Sequence, residues 1–168
     1  MKRLGFAIGT IVGMAGLAWS VSFYANAAGN AKDEITAVEN KLIAATSTAQ
    51  FMEHVDEKAF VFYDYVPPLQ YKGASAVRSR LDALFQEAKD LKGEFVELEV
   101  VADDKLGAAR SLQHFTWKDK EGKPREATFR VTDVFHKVEG KWKLIHSHVS
   151  VPVDPATEKG QMNLKSSG

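Results

Sequence analysis

Apolar residues recur with two different periods along this chain, and the change from one to the other divides it. Ile35, Val38, Leu42 and Ala45 fall at helical spacing, with Asn30 or Asp33 available to cap the start. A shorter helix is expected from about Thr48 to His54, with Phe51, Met52 and Val55 as its apolar contacts. Residues 59–64 (AFVFYD) alternate like a strand, and Pro67-Pro68 forbids its continuation. Gly73 opens a third helix whose stripe is Val77, Leu81, Leu84, Phe85, Ala88 and Leu91, and Gly93 is expected to stop it. From there the period is two: Glu94 to Ala102, Ala108 to Lys118, Arg125 to Lys137 and Lys141 to Val153. Gly-containing turns join these runs consecutively, which predicts an antiparallel meander. Helices first and a curled sheet last define an α+β domain with the helices covering one sheet face.

The last hairpin carries the densest information. Glu139-Gly140 is a two-residue turn signal, so Val138 should face Lys141. Counting outward places Asp133 opposite His146, Val131 opposite His148 and Phe129 opposite Ser150. Opposed residues share a face. One face then holds Phe129, Val131, Phe135, Trp142 and Leu144 together with Asp133, His146, His148 and Ser150, an apolar stripe running into a polar pocket floor. A three-residue bulged loop at this turn would move Asp133 to the other face from the histidines. The other face carries Arg130, Thr132, Lys143 and Ser147 beside Val134, Ile145, Val149 and Val151. It is too apolar for a solvated surface and suits a homodimer interface.

At the other end, Met1-Lys2-Arg3 precedes an apolar run, Leu4 to Trp19, and then Ala25-Asn26-Ala27. This is the pattern of a cleavable secretory signal peptide, residues 1–27, cut after Ala27. The expectation is an exported, periplasmic or secreted protein with no membrane attachment after cleavage. With no cysteine, a lipoprotein anchor and a disulfide framework are both excluded. The remaining 141 residues suit one domain, 28–155, with 156–168 as a flexible tail. Its net charge near −2 offers nothing for nucleic acid.

Helix-helix-strand-helix and then a meander, with YKGASAVRSRL opening the third helix and GKWKLIHSHVSVPVD closing the sheet, resembles the SnoaL-like group. That group belongs to the nuclear transport factor 2-like (NTF2-like), or ketosteroid isomerase-like, superfamily. The resemblance covers the mature chain. It implies a cone-shaped fold, three N-terminal helices packed in a strongly curved, mostly antiparallel sheet, open at one end as a pocket for a small carbonyl or apolar ligand. It also implies a homodimer and chemistry without a cofactor.

In the ketosteroid isomerases a general-base aspartate lies nine residues before the glycine that opens the third helix, and Asp64 stands nine before Gly73. A second aspartate sits in a run like Val131-Thr132-Asp133-Val134. The family's tyrosine on the first helix has no counterpart, since Asn40 or a neighbour falls there; Tyr63, Tyr65 and Tyr71 are the substitutes within reach. The resemblance therefore implies Asp64 as base and Asp133 as the second carboxyl, and the hairpin count adds His146 beside Asp133 to a catalytic group for proton transfer next to a carbonyl. Such chemistry needs a base near its own pKa and a donor for the developing oxyanion. A carboxyl in an apolar cone is pushed toward its neutral form and can be that donor. Tyr63, Gln113, Trp142, His148 and Ser150 are the candidate ligand-binding residues. Gln113 joins the pocket, and His114 points out, if Phe115 and Trp117 are core.

Each candidate also has a structural reading. Asp64 before Pro67-Pro68 can cap the strand exit, and Asp133 with His146 can be a structural pair. His146-x-His148 puts two imidazoles on one strand face about 6.5–7 Å apart. A metal would need a third ligand such as His114 or Asp133, and no metal is assigned. A non-catalytic ligand-binding pocket and a dimeric interaction module remain the alternatives to an isomerase- or cyclase-like enzyme.

Overall fold

The computed structural model describes residues 15–165, and side chains from residue 29 onward. Of the expected signal peptide, residues 1–14 lie outside the described residues, and the backbone of the rest is helical. The first helix, α1, runs Ala15–Ile43, so neither Asn30 nor Asp33 caps it. Asn30 instead donates from Nδ2 to Glu34 one turn on. No helix among the described residues is long and apolar enough to cross a membrane.

Short α2 (Thr48–Met52) starts at Ser47, whose hydroxyl accepts the Gln50 N–H, an ordinary N-cap. β1 (Val61–Tyr63) and β2 (Tyr71–Lys72) follow, then α3 (Ala74–Glu87). Gly73 occupies the position before α3 at φ +80°, a backbone region that costs glycine nothing. The helix ends at Glu87, earlier than its apolar stripe suggests. Ala88 is already extended, and β3 (Lys89–Ala102) takes Leu91 and Gly93 into the sheet. Gly93 does not stop a helix. It is a strand position where the backbone meets Phe115 and Ile43, and a Cβ there would lie 2.5 Å from Phe115 Cε1.

β4 (Leu106–Lys118), β5 (Pro124–Val138) and β6 (Lys141–Ser150) complete a six-stranded sheet in the order β2-β1-β6-β5-β4-β3. All pairs are antiparallel except β1 with β6, which is parallel. The sheet is mixed and curved, and α1 packs across β3, β4 and β6. Ile35, Phe135, Leu144 and Val77 are the deepest apolar residues between helix and sheet. The chain does not fray at Pro155. β7 (Val153–Asp154) pairs with β8 (Lys159–Gly160), and the Met162 carbonyl accepts the Thr128 N–H at 2.7 Å, where β6 has already ended.

The hairpin turn is as expected: Val138 faces Lys141, with Glu139 at φ +49° and Gly140 at φ +78°. The register beyond it is not. Phe135 pairs with Leu144, but Val134 pairs with His146, leaving Ile145 as an extra residue in β6. This bulge inverts every later residue of the strand. Asp133 now faces Ser147, Val131 faces Val149, and His146 and His148 lie on the outer face opposite Val134 and Thr132. β1 holds this register from the far side, where the Val61 carbonyl accepts the His146 Nδ1–H at 2.8 Å.

Candidate functional site

On β5 the inward row reads Ala127, Phe129, Val131, Asp133, Phe135, all buried. Asp133 is 5% exposed inside that apolar row. Its neighbours in the sheet are Ala109 on β4 and Ser147 on β6. Across the interior, α1 turns one face to the sheet through Ile35, Glu39 and Leu42, and Glu39 is 1% exposed. Neither Glu39 oxygen, nor Asp133 Oδ1, accepts a hydrogen bond from an N–H or hydroxyl group among the described residues. The two carboxyl groups are close enough to share a hydrogen bond, and a charge on Asp133 opposes one on Glu39.

Burial raises both, because a low-dielectric surround disfavours a carboxylate. Glu39 is pushed up to about 9, first by burial and then by the charge of Asp133. Asp133 is raised to about 6 by burial, with Ser147, Glu39 and the His146 charge pulling the other way. Such a pair holds one proton near neutral pH and titrates as a unit. Gln113, buried in the lining of the same cavity, donates to the Ser111 hydroxyl at 3.0 Å.

These groups floor a cavity of about 740 Å³ between the sheet and the helices. Its walls are largely aromatic, including Phe62, Tyr65, Phe85, Phe115, Trp117 and Phe129. Asp64, just past β1, also reaches the cavity, but both of its oxygens are occupied. Oδ2 accepts from Arg80 Nε at 2.5 Å and Oδ1 from the Tyr65 N–H at 2.7 Å. The Asp64 and Arg80 side chains are 2% and 12% exposed, so this is a buried ion pair in the wall. Burial, and then the Asp64 charge, raises the neighbouring Tyr65 phenol. At the mouth, Lys120 of the β4–β5 turn pairs with Glu87 at the end of α3, 2.9 Å apart.

Asp64, Asp133 and Gln113 thus meet at one cavity. The other expected site residues do not join them. His146, His148 and Tyr63 cluster on the outer face, the Tyr63 ring edge-on to both imidazoles at 4.7 and 5.8 Å. Ser150 lies there too, opposite Arg130. Trp142 is core, its Nε1–H bonded to Glu34 Oε2 at 2.7 Å. The bulge at Ile145 accounts for His146, His148 and Ser150, and it turns Val149 and Ser147 inward to the cavity. His114 points outward and bonds Thr128, and no three His, Asp or Glu side chains gather for a metal among the described residues.

Sequence reasoning missed Glu39 and Arg80. Glu39 had a signal: it occupies a core position in the stripe Ile35-Glu39-Leu42, where a lone carboxylate is out of place. It also adjoins Asn40, the position where the ketosteroid isomerases carry their tyrosine.

Residues 35–154 match the model of the SnoaL-like domain. The chain belongs to that family, within the NTF2-like superfamily. Among solved structures it is similar to an NTF2-like protein of unknown function from Pseudomonas putida KT2440. The TM-score is 0.73 at 23% identity, over 82% of this chain and 98% of that one. An NTF2-like superfamily protein from Salmonella enterica serovar Typhimurium LT2 gives 0.68 at 18% identity, over 79% and 99%. A protein of the NTF2-like family from Streptomyces avermitilis, provisionally described as a dehydratase, gives 0.64 at 11%, over 73% and 97%. These structures share the fold; at such identities they say nothing of activity. No curated protein matches the sequence.

Proposed function

We propose that this is an exported, homodimeric domain that takes a small, mainly apolar carbonyl compound into its cavity and moves a proton next to the carbonyl. The observation that carries this reading is the buried Asp133–Glu39 pair, paired with no basic side chain, at the floor of an aromatic cavity. Asp133, raised to about 6, is a carboxylate at neutral pH and basic enough to take a proton. Glu39, raised to about 9, keeps its proton and can donate a hydrogen bond to the carbonyl oxygen as negative charge develops there. The C–H bond breaks toward Asp133, the electron pair moves onto the carbonyl oxygen as a dienolate held by the Glu39 O–H, and Asp133 returns the proton at another carbon. Asp64 is an anchor in this scheme, because Arg80 and the Tyr65 N–H hold both of its oxygens.

The test uses a cyclic β,γ-unsaturated ketone in deuterated buffer, followed by NMR. Wild type should accelerate isomerisation with deuterium uptake, and Asp133→Asn should reduce it by about a hundredfold or more. Catalysis unchanged in a folded Asp133→Asn variant would remove the reading.

A further inference from the structure

The basic side chains that line the cavity, Arg80 and Lys120, are each matched by an acid. In the wall Arg80 is held by Asp64, and at the mouth Lys120 is held by Glu87 and Asp119 by Arg125. Glu121 adds a further acid at the rim. What remains inside is the Glu39–Asp133 pair, with Ser147 beside Asp133 and His146 acting on Asp133 from the outer face of the sheet. Two buried carboxyls that share one proton leave one negative charge in an apolar surround. Three of their four oxygens meet no N–H or hydroxyl donor of the described residues, so beyond the proton the two share they are acceptors open to a ligand's donors.

A carbonyl ligand uses the single O–H of the pair and leaves acceptors unmet. An ammonium group brings three donors and the opposite charge. The walls suit the same ligand, because Phe62, Phe115, Trp117 and Phe129 present the aromatic surface on which an organic cation is stabilised. A carboxylate, by contrast, would meet like charge at the floor and find the Arg80 guanidinium already paired.

We infer that the cavity is a receptor site for a small aromatic or alicyclic molecule bearing a protonated amine, with the ammonium seated on Glu39 and Asp133. This goes beyond the proton-transfer reading, since it concerns what binds and not what reacts, and it rests only on the placement of the carboxyl pair.

Three probes of one shape decide it by calorimetry at pH 7.5: 2-naphthylmethylammonium, 2-naphthylmethanol and 2-naphthoate. The ammonium should bind at least about tenfold tighter than the alcohol, the worth of a charge-assisted hydrogen bond, and the naphthoate weakest. The double variant Glu39→Gln/Asp133→Asn, its fold checked by circular dichroism, should lose the preference and bind ammonium no tighter than alcohol. Equal affinities for ammonium and alcohol in the wild type, a preference for naphthoate, or no binding of any probe would overturn the inference. Charge preference without ketone isomerisation would leave this inference standing and end the catalytic reading. Isomerisation dependent on Asp133 without charge preference would do the reverse.

Discussion

Glu39 on α1 and Asp133 on β5 lie together at one cavity floor, both buried, and the Asp133 charge raises the cost of a charge on Glu39. This relationship shapes both stability and chemistry. A carboxyl whose folded pKa lies above its unfolded value binds more protons in the fold than in the unfolded chain. Its contribution is therefore most favourable below the unfolded value and is lost as pH rises through the folded one. For Glu39 that window runs from 4.5 to about 9, and for Asp133 from 3.8 to about 6.

Urea unfolding should accordingly show lower stability at pH 8 than at pH 5. Glu39→Met, which replaces the buried acid by an apolar side chain of similar length, should flatten that slope. It should also stabilise the domain by roughly 1–3 kcal/mol at pH 8. A slope unchanged by Glu39→Met would mean that Glu39 is not the titrating group.

Asp64 and Arg80 predict the opposite behaviour. Their pair is buried, so removing one partner strands a charge, and Asp64→Asn should cost roughly 3–5 kcal/mol. Replacing both, as Asp64→Leu with Arg80→Met, should cost clearly less than the two single changes together. A double-mutant cycle with no coupling energy would refute a buried pair.

Gly93 tests the close approach of β3 to α1 and β4. In Gly93→Ala the new methyl group meets Phe115 and Ile43, and thermal unfolding should show a loss of roughly 1–3 kcal/mol from overpacking. A helix stop would give no such cost.

The outer sheet face is where the proposed dimer would form, now without Val149, which lines the cavity. Leu112 and Val134 are half-buried there, beside Tyr63 and His146. Wild type should sediment as a dimer, and Val134→Arg should shift it to monomer at micromolar concentration. An unaltered sedimentation profile would rule this face out.

For export, the Lys2-Arg3, apolar-run and Ala25-x-Ala27 series leads to a mature chain starting at Ala28. Intact mass of the protein recovered outside the cytoplasm checks it; a full-length product would contradict it.

What the sequence determined by itself was local. The helical stripes, the strand runs and the Glu139-Gly140 turn are written in spacing and backbone preference over a few residues, and together they identified the SnoaL-like fold. Asp64, Asp133 and Gln113 were legible because period-two alternation and family spacing carried them to the cavity side. The extra residue at Ile145 was not. Alternation cannot tell where a strand skips a beat, and this bulge is set by β6 satisfying β5 on one side and β1 on the other. One residue of slip sent His146, His148 and Ser150 outward and brought Ser147 and Val149 in. The pairings that define the site, Glu39 with Asp133 and Arg80 with Asp64, join elements distant in sequence. Only the tertiary structure decided them, because whether a buried charge is matched or left alone depends on which elements meet around it.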